Sequence, residues 1–306
     1  MSDFTQRADE YLQLRRALGF KLNQHGWVLP KFVAYLDAIG ASTLTADHAI
    51  TWAGLPQGVR PVWLSQRLSV VRGFARYLQA FDPATEVPPL GIWRSDSRRP
   101  VPYLYSQEEV LRLLAAAREL QPALRAASHE TLFGLLSVSG MRVGEALDLL
   151  RGDVDLTQGV VTVRSGKFNR SRLIPLHPSA TKVLHMYAEN RDRLCPRPTA
   201  DTFFVSHVGK KLTYGHVRRT FHRLAVATGL RSESAWPRIH DLRHSFAVRT
   251  LVDLQRAGAD IHAYIGTLSI YLGHVKPAGT YWYISAAPEL MELAAGRLER
   301  QFGDGR

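Results

Sequence analysis

The chain has 306 residues, 45% of them hydrophobic, so it is long enough for two domains and apolar enough to bury a core. Its 39 Lys and Arg against 27 Asp and Glu leave a formal charge of +12, which makes nucleic acid the leading partner, because each phosphate neutralised by a cation releases counterions. No apolar run approaches the ~18 residues of a membrane span, residues 1–6 lack the parts of a secretory leader, and the single Cys195 excludes an internal disulfide and a Cys-based zinc site. The expected location is the cytoplasm, at the nucleoid, with no membrane contact.

The first stretch reads as an all-α unit over residues 1–86. A helix from about Phe4 to Leu18 stops at Gly19, and a second from about Val28 to Ile39 carries Pro30 in its first turn and ends at Gly40. Thr45 caps a shorter third helix through Trp52. Pro61 opens a fourth that continues to about Phe81, with Leu64, Leu68, Val71 and Leu78 on one stripe. Its Arg67, Arg72 and Arg76 form a basic set that suits either DNA or plain solvation.

Residues 87–102 read as a linker, because Pro88, Pro89 and Pro100 exclude a continuous helix and the polar run between them cannot form a core. Arg94, Arg98 and Arg99 lie in this run and are candidate phosphate contacts.

Residues 103–306 read as a second, mainly α domain with a small β-sheet. Ser106 with Glu109 forms a capping box, and a helix from about Ser128 to Ser139 leads into Gly140-Met141-Arg142-Val143-Gly144-Glu145. A further short helix runs from Glu145 to Leu150. The β-branched run 159–164 and the run Arg172 to Leu176 predict two strands around a turn that holds Lys167, with residues 202–205 as a candidate third. Helices are expected again over about Tyr214–Thr228, Leu242–Arg256 and Pro288–Gln301. The last has an apolar stripe of Leu290, Met291, Ala294 and Leu298.

Several cations and rings stand where chemistry is plausible. Arg142 lies between two glycines that allow backbone to approach an anion, and His240 and Arg243 are one helical turn apart and share a face. Guanidinium groups suit a phosphate because they are planar, bidentate and permanently charged. His274 follows Leu272-Gly273, and Tyr283 comes nine residues later. Taken singly, each has an ordinary structural reading: a salt bridge, a solvated turn lysine, a histidine bonded at a helix end, a core tyrosine.

The order of these boxes resembles that of the tyrosine-type site-specific recombinases, the phage integrase family. The Gly-Met-Arg-x-Gly-Glu box, the hairpin Gly166-Lys167 with Arg172 to Leu176 after it, His240-x-x-Arg243, Leu272-Gly273-His274 and Tyr283 follow one another as in that family. Two places depart from it: the segment between Asp260 and Leu272 is about a helical turn longer, and Gly279-Thr280 replaces a Thr-Thr pair, which leaves Tyr281 as an alternative nucleophile. Similar features occur in the transposon-borne branch.

The resemblance implies an N-terminal four-helix core-binding domain joined to an α+β catalytic domain. It implies catalytic Arg142, Lys167, His240, Arg243, His274 and Tyr283, with Arg172 a candidate DNA contact. The arginines would hold the non-bridging oxygens, Lys167 would act as general acid, and a covalent 3′-phosphotyrosine would store the bond energy. No cofactor and no metal are implied. The expected partners are double-stranded DNA and further subunits, as a homotetramer or a mixed recombinase assembly on DNA. A type IB-like topoisomerase and a catalytically silent DNA-binding protein of the same fold are the alternatives.

Overall fold

The computed structural model describes residues 3–20, 22–93, 101–164, 171–274 and 278–285. The chain divides into two compact units, 1–99 and 100–306. Among the described residues no helix is long and apolar enough to cross a membrane.

The first unit contains α1 (Asp3–Ala17), α2 (Asn23–Ala38), α3 (Ala46–Gly54) and α4 (Pro61–Leu78). Leu29, Phe32, Leu36, Leu44 and Phe74 are wholly buried at its centre, and Trp52 meets the Phe32 ring edge-on at 5.0 Å. Thr45 caps α3 as expected, its hydroxyl accepting from the His48 N–H. Helix α2 starts earlier than its apolar pattern indicates, so Pro30 stands inside the helix rather than in its first turn. Helix α4 ends before Phe81.

Two arginines of α4, both candidate DNA contacts in the sequence, bond to backbone within the first unit. Arg72 is 8% exposed and donates to the carbonyls of Pro88 and Pro89 at 2.8 and 2.5 Å. Arg67 donates to the Trp52 carbonyl at 2.8 Å and lies 3.8 Å over its ring. The irregular chain at Pro88 and Pro89 has no secondary-structure ladder to satisfy these carbonyls, and Arg72 supplies donors to both. Arg76 alone of the three stays exposed. The same contacts shift the expected linker: Val87 and Trp93 pack against the first core, so residues 87–93 belong to that unit. Arg94, Arg98 and Arg99 lie outside the described residues.

The second unit contains α5 (Gln107–Arg118), α6 (Ala123–Ser139), α7 (Val143–Asp148), α8 (Pro178–Leu194), α9 (Tyr214–Ala227), α10 (Ile239–Arg256), α11 (Ile261–Leu272) and α12 (Ala278–Ser285). Its antiparallel sheet has the order β1 (Val154–Asp155), β2 (Val160–Val163), β3 (Arg172–Pro175). Val161 pairs with Ile174, and both are wholly buried on the sheet's inner face. The third strand is therefore β1, not residues 202–205, which make only isolated bridges to Leu150 and Lys211. Helix α8 was not expected: its buried stripe is thin, with Leu184, Tyr187 and Arg191 facing inward. The buried centre of α6 anchors the unit, with Leu132 and Phe133 wholly buried and α5, α8 and α10 packed around it. The helix expected over 288–301 lies outside the described residues.

Candidate active site

The site forms where α7, β3, α10, α11 and α12 meet. Helix α6 ends at Gly140, whose φ of 59° is the left-handed turn that favours glycine. A Cβ there would stand 2.4 Å from the Phe246 ring, so the position has no room for one. The turn delivers Arg142 to the N-cap of α7, where Glu145 closes back on its backbone N–H at 3.0 Å.

Helix α11 ends the same way at Gly273, φ 66°, and the His274 N–H returns to the Ser269 carbonyl at 2.9 Å. A Cβ on Gly273 would lie 2.9 Å from the Arg172 guanidinium and 3.4 Å from that of Arg142. The closeness has a cause. Three arginines from three elements each hold one of three successive carbonyls at this helix end. Arg172 Nε donates to Tyr271 at 2.8 Å, Arg243 Nη2 to Leu272 at 2.6 Å, and Arg142 Nη2 to Gly273 at 2.7 Å. Cations at the negative end of a helix, donating to carbonyls without intrahelical partners, are favourable on both counts.

Glu145 binds the outer pair together. It accepts from Arg142 Nη1 at 2.8 Å and from Arg172 at 2.7 and 3.1 Å. Burial alone would raise its carboxyl; the Arg172 and Arg142 guanidinium groups overcome that and hold it at about 2. Arg172, a candidate DNA contact in the sequence, is here bonded to Glu145 and Tyr271 and fastens β3 to α7 and α11.

Arg243 is 1% exposed. It donates to the Gly140 carbonyl at 2.7 Å as well as to Leu272, and it also hydrogen-bonds the Tyr283 side chain. Burial and the neighbouring Arg142 charge push its guanidinium down to about 10, so it remains a cation at neutral pH. Tyr283 is 2% exposed, whereas Tyr281 is 46% exposed and lies beside His262. The Tyr283 ring stacks on His274 at 6.0 Å and approaches His244 at 5.4 Å; His244 in turn meets His240 edge-on at 4.7 Å. Desolvation and the nearby Arg243 push His240 below its ordinary range, toward the neutral form.

Of the expected catalytic residues, the structure brings Arg142, His240, Arg243, His274 and Tyr283 into one cluster; Lys167 lies outside the described residues. Sequence reasoning assigned no role to Glu145 or Thr280, whose hydroxyl is 2.7 Å from His274 Nδ1. It also passed over a basic groove of about 1350 Å³, lined by Arg125, Lys210, Lys211, Arg218, Arg219 and Arg223. The signal was present in the Arg218, Arg219 and Arg223 spacing, which places cations along one side of α9.

Comparison with known proteins agrees with this geometry. Residues 104–289 match the model of the phage integrase family. The chain is 43% identical to the integrase/recombinase-type protein y4rB of Sinorhizobium fredii over 99% of both chains. Two solved structures share the fold at low identity. The Tn1549 transposon integrase in complex with transposon right end DNA has a TM-score of 0.65 and 18% identity, over 96% of this chain and 99% of that one. A lambda integrase tetramer bound to a Holliday junction has a TM-score of 0.61 and 19% identity, over 91% of this chain and 76% of that one. The chain belongs to the phage integrase family, the tyrosine recombinases, and is a site-specific DNA recombinase, an enzyme that cleaves and rejoins DNA strands.

Proposed function

We propose that Tyr283 is the nucleophile of this recombinase, and that the protein acts in the cytoplasm, at the nucleoid, on the DNA ends of a mobile element. One observation carries the assignment: Tyr283, not Tyr281, is enclosed with Arg243 and hydrogen-bonded to it. An attacking phenol oxygen needs a cation beside the phosphate it meets, and Arg243 supplies one at the nucleophile itself.

The step follows from this placement. The Tyr283 oxygen attacks the phosphorus as the bond to the 5′-oxygen breaks, and the phenol proton passes to water. Arg142 and Arg243 take up the charge gathering on the non-bridging oxygens. His274 and His240 donate hydrogen bonds to the same phosphate. Lys167 gives the proton that the departing 5′-oxygen needs, leaving a 3′-phosphotyrosine and a free 5′-hydroxyl. Attack of a 5′-hydroxyl from the partner strand reverses the step and regenerates the tyrosine, so no external energy source is required. The basic groove beside α9 and the exposed Arg76 supply charge for the DNA backbone. Exchange between two duplexes calls for four protomers, either identical or mixed with partner recombinases.

A plasmid carrying two copies of the element's end sequence tests this reading. Recombinant circles from the wild-type protein support it. Relaxed circles without recombinants would point to a topoisomerase, and binding without any strand cleavage to a silent DNA-binding protein.

A further inference from the structure

A chain of hydrogen bonds behind His274 is not used in the step above. The Ser269 hydroxyl, on α11, lies 2.6 Å from the Thr280 hydroxyl, on α12, and Thr280 Oγ1 lies 2.7 Å from His274 Nδ1. Ser269 is 4% exposed and Thr280 wholly buried. At these distances both contacts are full hydrogen bonds, and each needs one proton between its two heavy atoms.

Proton counting selects a direction. If Ser269 donates to Thr280 and Thr280 donates to His274 Nδ1, both hydroxyl protons are used and the imidazole carries its proton on Nε2. If His274 Nδ1–H donates instead, Thr280 either accepts from both neighbours and strands its own proton, or donates to Ser269, and the Ser269 proton is displaced from the chain. Among the described residues the hydrogen-bond partner of that hydroxyl is Thr280, so the second direction strands a donor in a buried site, which is costly. The bond made by one imidazole nitrogen decides which form the other presents.

We propose that Ser269 and Thr280 are positioning residues that hold His274 as its Nε2–H tautomer, a donor aimed at phosphate, and that they do so only while α12 is docked. The inference rests on the phosphate-binding role given to His274 above. Thr280 lies three residues before Tyr283 on the same helix. Docking of the nucleophile helix and readiness of the histidine are therefore one event: a protomer whose α12 is displaced loses the nucleophile and the tautomer lock together. This also gives a reason for a threonine beside Gly279, where the chain departs from the Thr-Thr pattern. The second position keeps the hydroxyl that the lock needs.

The test reads the tautomer directly, by long-range nitrogen–proton spectroscopy of the full-length protein labelled at histidine nitrogens, without DNA. The His274 signal of the wild-type protein is expected in the Nε2–H pattern. Thr280→Val, which removes the hydroxyl and keeps the branched shape, should let the Nδ1–H form appear. It should also slow covalent cleavage of a nicked substrate carrying the element end by about 10- to 100-fold, the range seen when a metal-bound histidine loses its orienting partner. Thr280→Ser should restore both the spectrum and the rate to within about threefold, and Ser269→Ala should reduce the Nε2–H fraction. If Thr280→Val does not fold, the wild-type and Ser269→Ala spectra decide alone. An Nδ1–H pattern in the wild-type protein, an unchanged tautomer in Thr280→Val or Ser269→Ala, or no rescue by serine overturns the proposal. The spectrum stands apart from cleavage, so a failed assignment of Tyr283 would leave it readable.

Discussion

Glu145 accepts both terminal nitrogens of Arg172, at 2.7 and 3.1 Å, from a position 27 residues earlier in the chain. This pair, with Arg142 on the same carboxylate, makes part of the fold's stability dependent on pH. The Glu145 carboxyl is depressed from 4.5 to about 2, so its contribution is complete above about 4.5 and is lost as pH falls toward 2. The shift corresponds to roughly 3 kcal/mol. Urea denaturation of the wild-type protein should therefore weaken steadily through that window. Glu145→Gln should be less stable near neutrality and show a flatter decline. Equal slopes for the two proteins would remove Glu145 from this role.

Arg72 and Arg76 stand on the same helix and should fail differently. Arg72→Met leaves the Pro88 and Pro89 carbonyls without their donor and should destabilise the first unit by about 1–3 kcal/mol. Its effect on the salt dependence of DNA binding should be slight. Arg76→Ala should leave the melting transition unchanged and lower the slope of log K against log salt by about 1. Chemical denaturation and salt titrations of DNA binding on both variants separate the two roles.

Gly273 is constrained twice, by its φ of 66° and by the Arg172 and Arg142 guanidinium groups beside it. Gly273→Ala should cost about 1–2 kcal/mol in backbone strain alone. It should also slow strand cleavage by more than tenfold, because the added methyl displaces Arg172 and, through it and Glu145, Arg142, which meets the phosphate. Single-turnover cleavage with the variant saturated by DNA separates this loss from weaker binding.

Charge in the groove beside α9 is testable without knowing the DNA site. Arg218→Ala and Arg219→Ala should each weaken binding to any duplex and lower the salt slope by about 1. An unchanged slope in both would take DNA out of this groove.

The residues that the structure gathers around Tyr283 were singled out in the sequence. An arginine between glycines, a histidine one turn before an arginine, and a tyrosine nine residues after Leu-Gly-His keep their meaning in any local structure. The direction of a long cation was not legible. Nothing in the sequence around Arg67, Arg72 and Arg172 shows that each donates to a carbonyl brought near by the fold. Periodicity failed for a related reason at α8, where a thin buried stripe of Leu184, Tyr187 and Arg191 left too weak an apolar signal. The hydroxyl chain behind His274 escaped because Ser269 and Thr280 meet only when α11 and α12 pack together.

The central claim is that Tyr283 forms the covalent bond to DNA. Incubation with a nicked substrate carrying the element end, followed by a denaturing gel, tests it most directly. Wild-type protein and Tyr281→Phe should both yield the protein–DNA adduct. Tyr283→Phe should yield none while binding the same DNA. An adduct from Tyr283→Phe, or one lost only in Tyr281→Phe, would contradict the account.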